Sequence, residues 1–275
     1  MIKDQIEVKI IEDSISKDNR ICTLQLKYHR YIHAEMMTHR VFSRSASSSR
    51  AIPIKKIISE VWNNPAIPLH WGENISGMQA KTELSGIRLF LAKQTWILAS
   101  KFACVFAYIM YFVGLHKQIG NRVLEPFSFI NVILTSTEFD NFFQLRIHPD
   151  AQPEIQVLAK KIQEAIDNSK PNILEKGMWH LPYISYEERE LFDVTDLLKA
   201  STARCARVSY NNHDGSLPSI PKDIGLHDRL VGSKPLHASP AEHPAKAQEN
   251  DKFYKNFKGW SQYRTILEDT VFNKR

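Results

Sequence analysis

The apolar residues change period once near the start of the chain, and that change constrains the fold class. Ile6-Glu-Val-Lys-Ile-Ile11 alternates as a strand does, and Ile21-Cys-Thr-Leu-Gln-Leu26 alternates again after the polar turn Ser16-Lys-Asp-Asn19. The two segments predict a hairpin. From Tyr28 to about Phe42 the spacing turns helical: Tyr31, Ala34, Met37 and Val41 recur three or four apart, while Glu35 and His39 project elsewhere. Serine side chains compete for backbone hydrogen bonds, so the run Ser45 to Ser49 is expected to end that helix and leave its polar groups at a helix-to-loop transition.

Further along, Glu83 to about His116 reads as one long or broken helix, and Phe127 to Leu134, rich in β-branched and aromatic residues, reads as a buried strand. Helices are predicted near Phe139 to Leu145, Pro153 to Asn168, Val194 to Val208 and Asp223 to Leu230. Strands separated by helices favour one mixed α/β domain over residues 1–275. The stretch Trp96 to Leu115 is long enough to cross a bilayer. Lys101 lies inside it and no basic belt flanks it, so a core or interface helix is expected and no membrane span. Cys22, Cys104 and Cys205 form no C-x-x-C pair, which argues against a disulfide framework and a cysteine-rich zinc site, and they read as packing residues in a cytoplasmic protein without a metal. The N-terminal residues lack an apolar signal-peptide core.

Three stretches concentrate polar chemistry. Residues 38–50 carry Arg40, Arg44, Arg50, His39 and five serines; guanidinium forks and hydroxyls in this density suit a phosphate, whereas the plainer reading is a solvated basic loop. The formal charge of +6 fits phosphorylated small molecules and nucleic acid equally. Near the other end, Arg204-Cys-Ala-Arg-Val-Ser209 precedes His237-Ala-Ser-Pro-Ala-Glu-His243, which also reads as an ordinary capped helix start. Between them lie Arg122-Val-Leu-Glu-Pro126, Asn141-Phe-Phe-Gln-Leu-Arg146 and Ala151-Gln-Pro-Glu-Ile155. Taken alone, the middle string has the spacing of any surface helix. His33-Ala-Glu35 has no accompanying P-C-x-x-C, and H-E-x-x-H, G-x-x-x-x-G-K and G-x-G-x-x-G do not occur.

Together these stretches resemble the flavin-dependent thymidylate synthases, in altered order. That family has an A-R-V-S segment first, H-x-T-P-x-E-H second and R-H-R-x-x-S-x-N-E-x-S-x-R third. Here the third opens the chain and the other two come late, which implies a circular permutation. The likeness spans residues 21–51, 83–168 more loosely, and 201–245. It implies an α+β fold, a single domain with a central sheet flanked by helices. It also implies reductive methylation of dUMP to dTMP with methylenetetrahydrofolate, FAD and NADPH, in a homotetramer with shared sites; nucleic acid is not the expected partner. By position, His39, Arg40, Ser43, Asn141, Ser209, His237, Ser239 and Glu242 would face FAD. Glu35, Ser48, Ser49, Arg50, Arg122 and Arg146 would hold the nucleotide, with Arg146, Arg50 and His237 as the catalytic set. The chain departs from the pattern at Thr38, which replaces the first arginine of R-H-R, at Ser45-Ala46 in place of Asn-Glu, at Glu35 in place of glutamine, and at Ala51 in place of tyrosine. An ionised glutamate only accepts hydrogen bonds. Glu35 therefore reads either as the partner of an arginine such as Arg50 or as an acceptor for an amino group. This leaves open methylation or hydroxymethylation of another pyrimidine nucleotide such as dCMP, and a non-catalytic nucleotide or nucleic-acid binder on the same scaffold.

Overall fold

The computed structural model describes residues 5–77, 80–208, 212 and 216–272. In chain order its elements are β1 (Glu7–Ser16), β2 (Asn19–His29), a 3-10 turn over Arg30–Ile32, α1 (His33–Met36), β3 (Ser43–Ala46), α2 (Ile54–Asn63), α3 (Gly86–Phe112), α4 (Lys117–Gly120), a 3-10 stretch over Asn121–Phe127 and β4 (Phe129–Ser136). There follow α5 (Asp140–Arg146), α6 (Pro153–Asp167), β5 (Asn172–Ile173), β6 (Trp179–His180), α7 (Tyr186–Leu191), α8 (Val194–Arg207), α9 (Ile220–Val231), a 3-10 turn over Ser239–Glu242, β7 (Ala245–Ala247), β8 (Phe253–Tyr254), β9 (Phe257–Lys258), β10 (Trp260–Gln262) and α10 (Tyr263–Phe272).

A central sheet runs β3-β4-β2-β1-β5, antiparallel except for the β1–β5 pair, and a small sheet runs β10-β7-β6. The mixed α/β class and the N-terminal hairpin are as the sequence predicts. The helix expected over Tyr28 to Phe42 is largely absent. Tyr28 and His29 pair with Ile130 and Phe129, so β2 continues through them, and only the four residues of α1 are α-helical. Side chains close that turn: Arg44 Nη1 donates to the carbonyls of Met36 and His39, and Thr38 Oγ1 donates to that of Glu35. Of the serine run, only Ser45 is in a strand, and Ser47 to Ser49 form the loop that follows it. Ser43–Ala46 is the edge strand β3, paired with β4 from Ser43↔Thr135 to Ala46↔Val132.

Period two sorts the sheet into two faces. Leu24, Leu26, Tyr28, Val132 and Leu134 face Ile155, Leu158 and Ile162 of α6, each contributing about 2 kcal/mol on full burial. The opposite face carries Thr23, Thr135 and Ile133, the last packed with Tyr183, Cys205 and Val208. All three cysteines are free and buried. The C-terminal segment closes the floor of the hairpin: Ile21 packs with Leu174, Ala245, Ala247, Phe257 and Trp260, and Trp260 Nε1 donates to the Asn19 carbonyl at 3.1 Å. Gly259, at φ +74°, is the position where a Cβ would meet Asn19 Nδ2 at 2.7 Å, so the close approach there requires glycine.

Helix α3 occurs where expected but is not a core helix. Ala103, Cys104 and Ala107 pack on Ile54, Ile57 and Val61 of α2, while Phe90, Leu98, Phe102, Phe106, Ile109 and Phe112 are exposed. By length and composition it is also the one helix among the described residues that could cross a membrane, with 17% of its most apolar window buried.

Candidate functional site

Arg146, the last residue of α5, lies against α1 and the turn that follows it. Its Nε donates to His39 Nε2 at 2.9 Å, its Nη1 to Glu35 Oε2 at 3.0 Å and its Nη2 to Thr38 Oγ1 at 3.1 Å. Thr38 Oγ1 can accept because its own hydrogen goes to the Glu35 carbonyl at 2.7 Å. His39 accepts because it is neutral: burial first, then the guanidiniums of Arg146 and Arg44, push it down to about 4. Three of the five N–H donors of the guanidinium are thus engaged, and two remain for a ligand. Arg146 and Glu35 line a cavity of about 790 Å³, with His70, Lys81, Gln152 and Gln156 on its other walls. Glu35 therefore pairs with Arg146 and not with Arg50, because the turn after α1 aims it at α5.

A second cluster forms where the chain leaves β3. Ser49 Oγ donates to Glu125 Oε1 at 2.7 Å, and Arg122 Nη1 donates to Glu125 Oε1 and Oε2 at 2.9 and 3.1 Å. Arg30 Nη1 stands 4.0 Å from Glu125 Oε1. Buried Asn121 fixes the loop through donation to the Ser49 and Ile52 carbonyls at 2.7 and 3.0 Å.

The third cluster joins early and late chain. On β3, Ser43 and Ser45 share a face. Ser43 Oγ accepts from Asn256 Nδ2 and Gln262 Nε2, both at 3.1 Å, and Ser45 Oγ bonds His243 Nε2 at 2.9 Å. From there a buried chain of hydrogen bonds crosses the sheet: His243 Nδ1 to Thr135 Oγ1 at 2.8 Å, Thr135 to Thr23 at 2.7 Å, Thr23 to His180 Nε2 at 2.8 Å and His180 Nδ1 to Ser14 Oγ at 2.9 Å. Each neutral imidazole supplies one donor and one acceptor, so both of its sides are satisfied without a buried charge. Burial pushes His243 down to about 3 and His180 well below the usual histidine range, the latter helped by Arg189 and His243.

The remaining expected residues divide plainly. Arg40, Ser48, Arg50, Asn141, His237 and Ser239 are exposed, without a side-chain hydrogen bond among the described residues. Glu242 is held by Arg264, and Ser209 lies outside the described residues. Arg204 and Arg207 serve the interior: Arg204 bonds Glu188, Asp223 and the Tyr183 carbonyl, and Arg207 bonds Asp223 at 2.6 Å. Of the residues expected at a flavin, His39, Ser43 and Glu242 have internal partners within one chain, and the exposed members of that set line none of the cavities described. Sequence reasoning passed over Glu125, Thr135 and His180. The signal for Glu125 was available, since it stands where the R-x-x-L-P pattern has leucine.

No family model matches the chain, and no curated protein matches it by sequence. Among solved structures it is similar to the UMP/dUMP methylase PolB from Streptomyces cacaoi bound with 5-Br UMP, at 17% identity and a TM-score of 0.50, over 58% of this chain and 87% of that one. A second structure of that methylase, bound with 5-Br dUMP, aligns at 15% identity and a TM-score of 0.48, over 58% and 89%. The likeness to the first is one of fold: a central sheet with flanking helices.

Proposed function

We propose that this chain is an enzyme acting on pyrimidine nucleotides, a permuted and divergent relative of the flavin-dependent thymidylate synthases. The observation that carries this reading is the Ser45–His243 contact, in which two segments 198 positions apart, assigned by the resemblance to one site, meet. The proposed reaction is reductive methylation of dUMP at carbon 5, with methylenetetrahydrofolate as the carbon source. Uracil carbon 5 is a poor nucleophile until charge enters the ring. The two uncommitted N–H groups of Arg146 then stabilise the developing enolate oxygen, and the contacts to His39, Glu35 and Thr38 hold the fork in place beforehand. Arg50 and Ser48, both exposed, are left to engage the 5′-phosphate.

FAD, with NADPH as its reductant, belongs to this reading only with a second copy in place. The exposed apolar side of α3 supports such an assembly, since exposed apolar patches mark interaction surfaces, and Lys101 of α3, stacked on Trp62 of α2, disfavours lipid as the occupant. A homotetramer is the proposed state. Glu35 Oε1, without a partner among the described residues, favours one second reading, in which it accepts from the amino group of a cytosine nucleotide such as dCMP. The test is purification followed by an absorbance spectrum and an assay of tritium release from carbon 5 of labelled dUMP. A yellow protein with dUMP-dependent release is expected. A colourless protein that binds dUMP or dCMP without turning either over would overturn the enzyme reading in favour of a non-catalytic binder, and one that binds neither would overturn the pyrimidine reading altogether.

A further inference from the structure

The anion that the serine- and arginine-rich loop attracts is already part of the chain. Ser49 has one hydroxyl hydrogen, and it goes to Glu125 Oε1. Arg122, which the resemblance makes a phosphate ligand, spends its Nη1 on both oxygens of the same carboxylate, and Arg30 faces it from the other side. Asn121 keeps Ser49 at this carboxylate by holding the loop from beneath. The Glu125 side chain is about one-quarter exposed, so its charge is only partly screened. A phosphomonoester reaching this loop finds the Ser49 hydrogen and Nη1 of Arg122 committed and meets a like charge. Arg50, Ser48 and the three N–H groups on Nε and Nη2 of Arg122 are left to hold it.

We propose that Glu125 is a specificity-determining residue that reduces the share of binding contributed by a 5′-phosphate, so that recognition of the ligand falls mainly on the pyrimidine and sugar. The proposal rests on the pyrimidine reading above. Counting one negative charge on the phosphate, a like charge about 6 Å away at an effective dielectric of about 40 weakens binding roughly ten-fold, and the second charge of a dianion adds to this. Glu125→Gln keeps the length of the side chain and an acceptor for Ser49 while removing the charge. The bonds from the Ser128 backbone N–H and Oγ go to the main-chain carbonyl of residue 125 and survive the change.

The experiment is calorimetric titration of the full-length wild type and Glu125→Gln with deoxyuridine and with dUMP, read as the ratio of the two dissociation constants. The expected results are a wild-type preference for dUMP below about ten-fold, and a ratio about ten-fold larger in the variant. A wild-type preference above about ten-fold, or a ratio that the substitution leaves unchanged or lowers, overturns the proposal. If the variant does not fold, as judged by circular dichroism, the wild-type ratio decides. Binding of neither ligand by the wild type removes the pyrimidine reading and this proposal together. Binding without methylation removes only the proposed reaction and leaves the ratio to decide the role of Glu125.

Discussion

Replacing His243 by glutamine tests whether the buried chain of hydrogen bonds across the sheet works as the geometry implies. His243 is wholly buried between Ser45 and Thr135, and burial holds it at about 3 in the folded protein. The unfolded chain takes up a proton on this ring below about pH 6.5, and the folded chain does not. The stability conferred by the neutral ring is therefore complete above about pH 6.5 and is lost progressively as the pH falls toward 3. At about 1.4 kcal/mol per pH unit, the loss between pH 7 and pH 5 from this one residue is about 2 kcal/mol. Glutamine can bond both hydroxyls but does not titrate. His180 and His39, lowered in the same direction, are present in both proteins, so their contributions cancel in the difference. Urea unfolding at pH 7 and pH 5 should show the wild type losing about 2 kcal/mol more than His243→Gln on acidification. Equal losses, to within about 0.5 kcal/mol, would refute the account of a neutral, desolvated imidazole.

Other perturbations probe different parts of the molecule. Arg204→Met leaves Asp223 and Glu188 without their buried guanidinium and should cost about 3–5 kcal/mol, seen as a fall in Tm of roughly 10 °C; a shift under about 2 °C would contradict the assignment of this ion pair to the interior. Arg146→Ala should lower kcat/KM by on the order of 10²-fold with an unchanged circular dichroism spectrum, and near wild-type turnover would remove Arg146 from the catalytic set. Phe102→Glu with Phe106→Glu should move the protein to a monomer in sedimentation velocity, and a wild type that is itself monomeric would dispose of α3 as an interface.

The sequence made the hairpin, β4, α5, α6 and α8 legible because each has one strong period and a clear boundary, such as Pro153 at the first turn of α6. It misled around α1, where Tyr31, Ala34 and Met37 repeat like a helix, while backbone pairing to β4 and the Arg44 guanidinium decide the outcome. Propensity is a weak prior beside such tertiary contacts. The serine run deceived for a related reason: Ser43 and Ser45 find partners on β10 and beside β7, far off in sequence, that no local rule reveals. Arg146 and Glu35, which the resemblance assigns to the nucleotide, line one cavity, but their mutual pairing depends on where α5 docks. His39, which the resemblance places at a cofactor, is buried against Phe142 and accepts from Arg146, a contact that no local spacing reveals.

The indole of Trp260 has a consequence for synthesis of the chain. Its bond to the Asn19 carbonyl spans 241 positions, so a ribosome adding about 5–20 residues per second leaves the first two strands outside the exit tunnel for roughly 10–50 s before their cover is even translated. For that interval Ile21 has no Trp260 to pack against, and nascent molecules on one messenger expose the same adhesive strand to one another. Recovery of native protein should therefore depend on chaperone supply and on the pace of elongation.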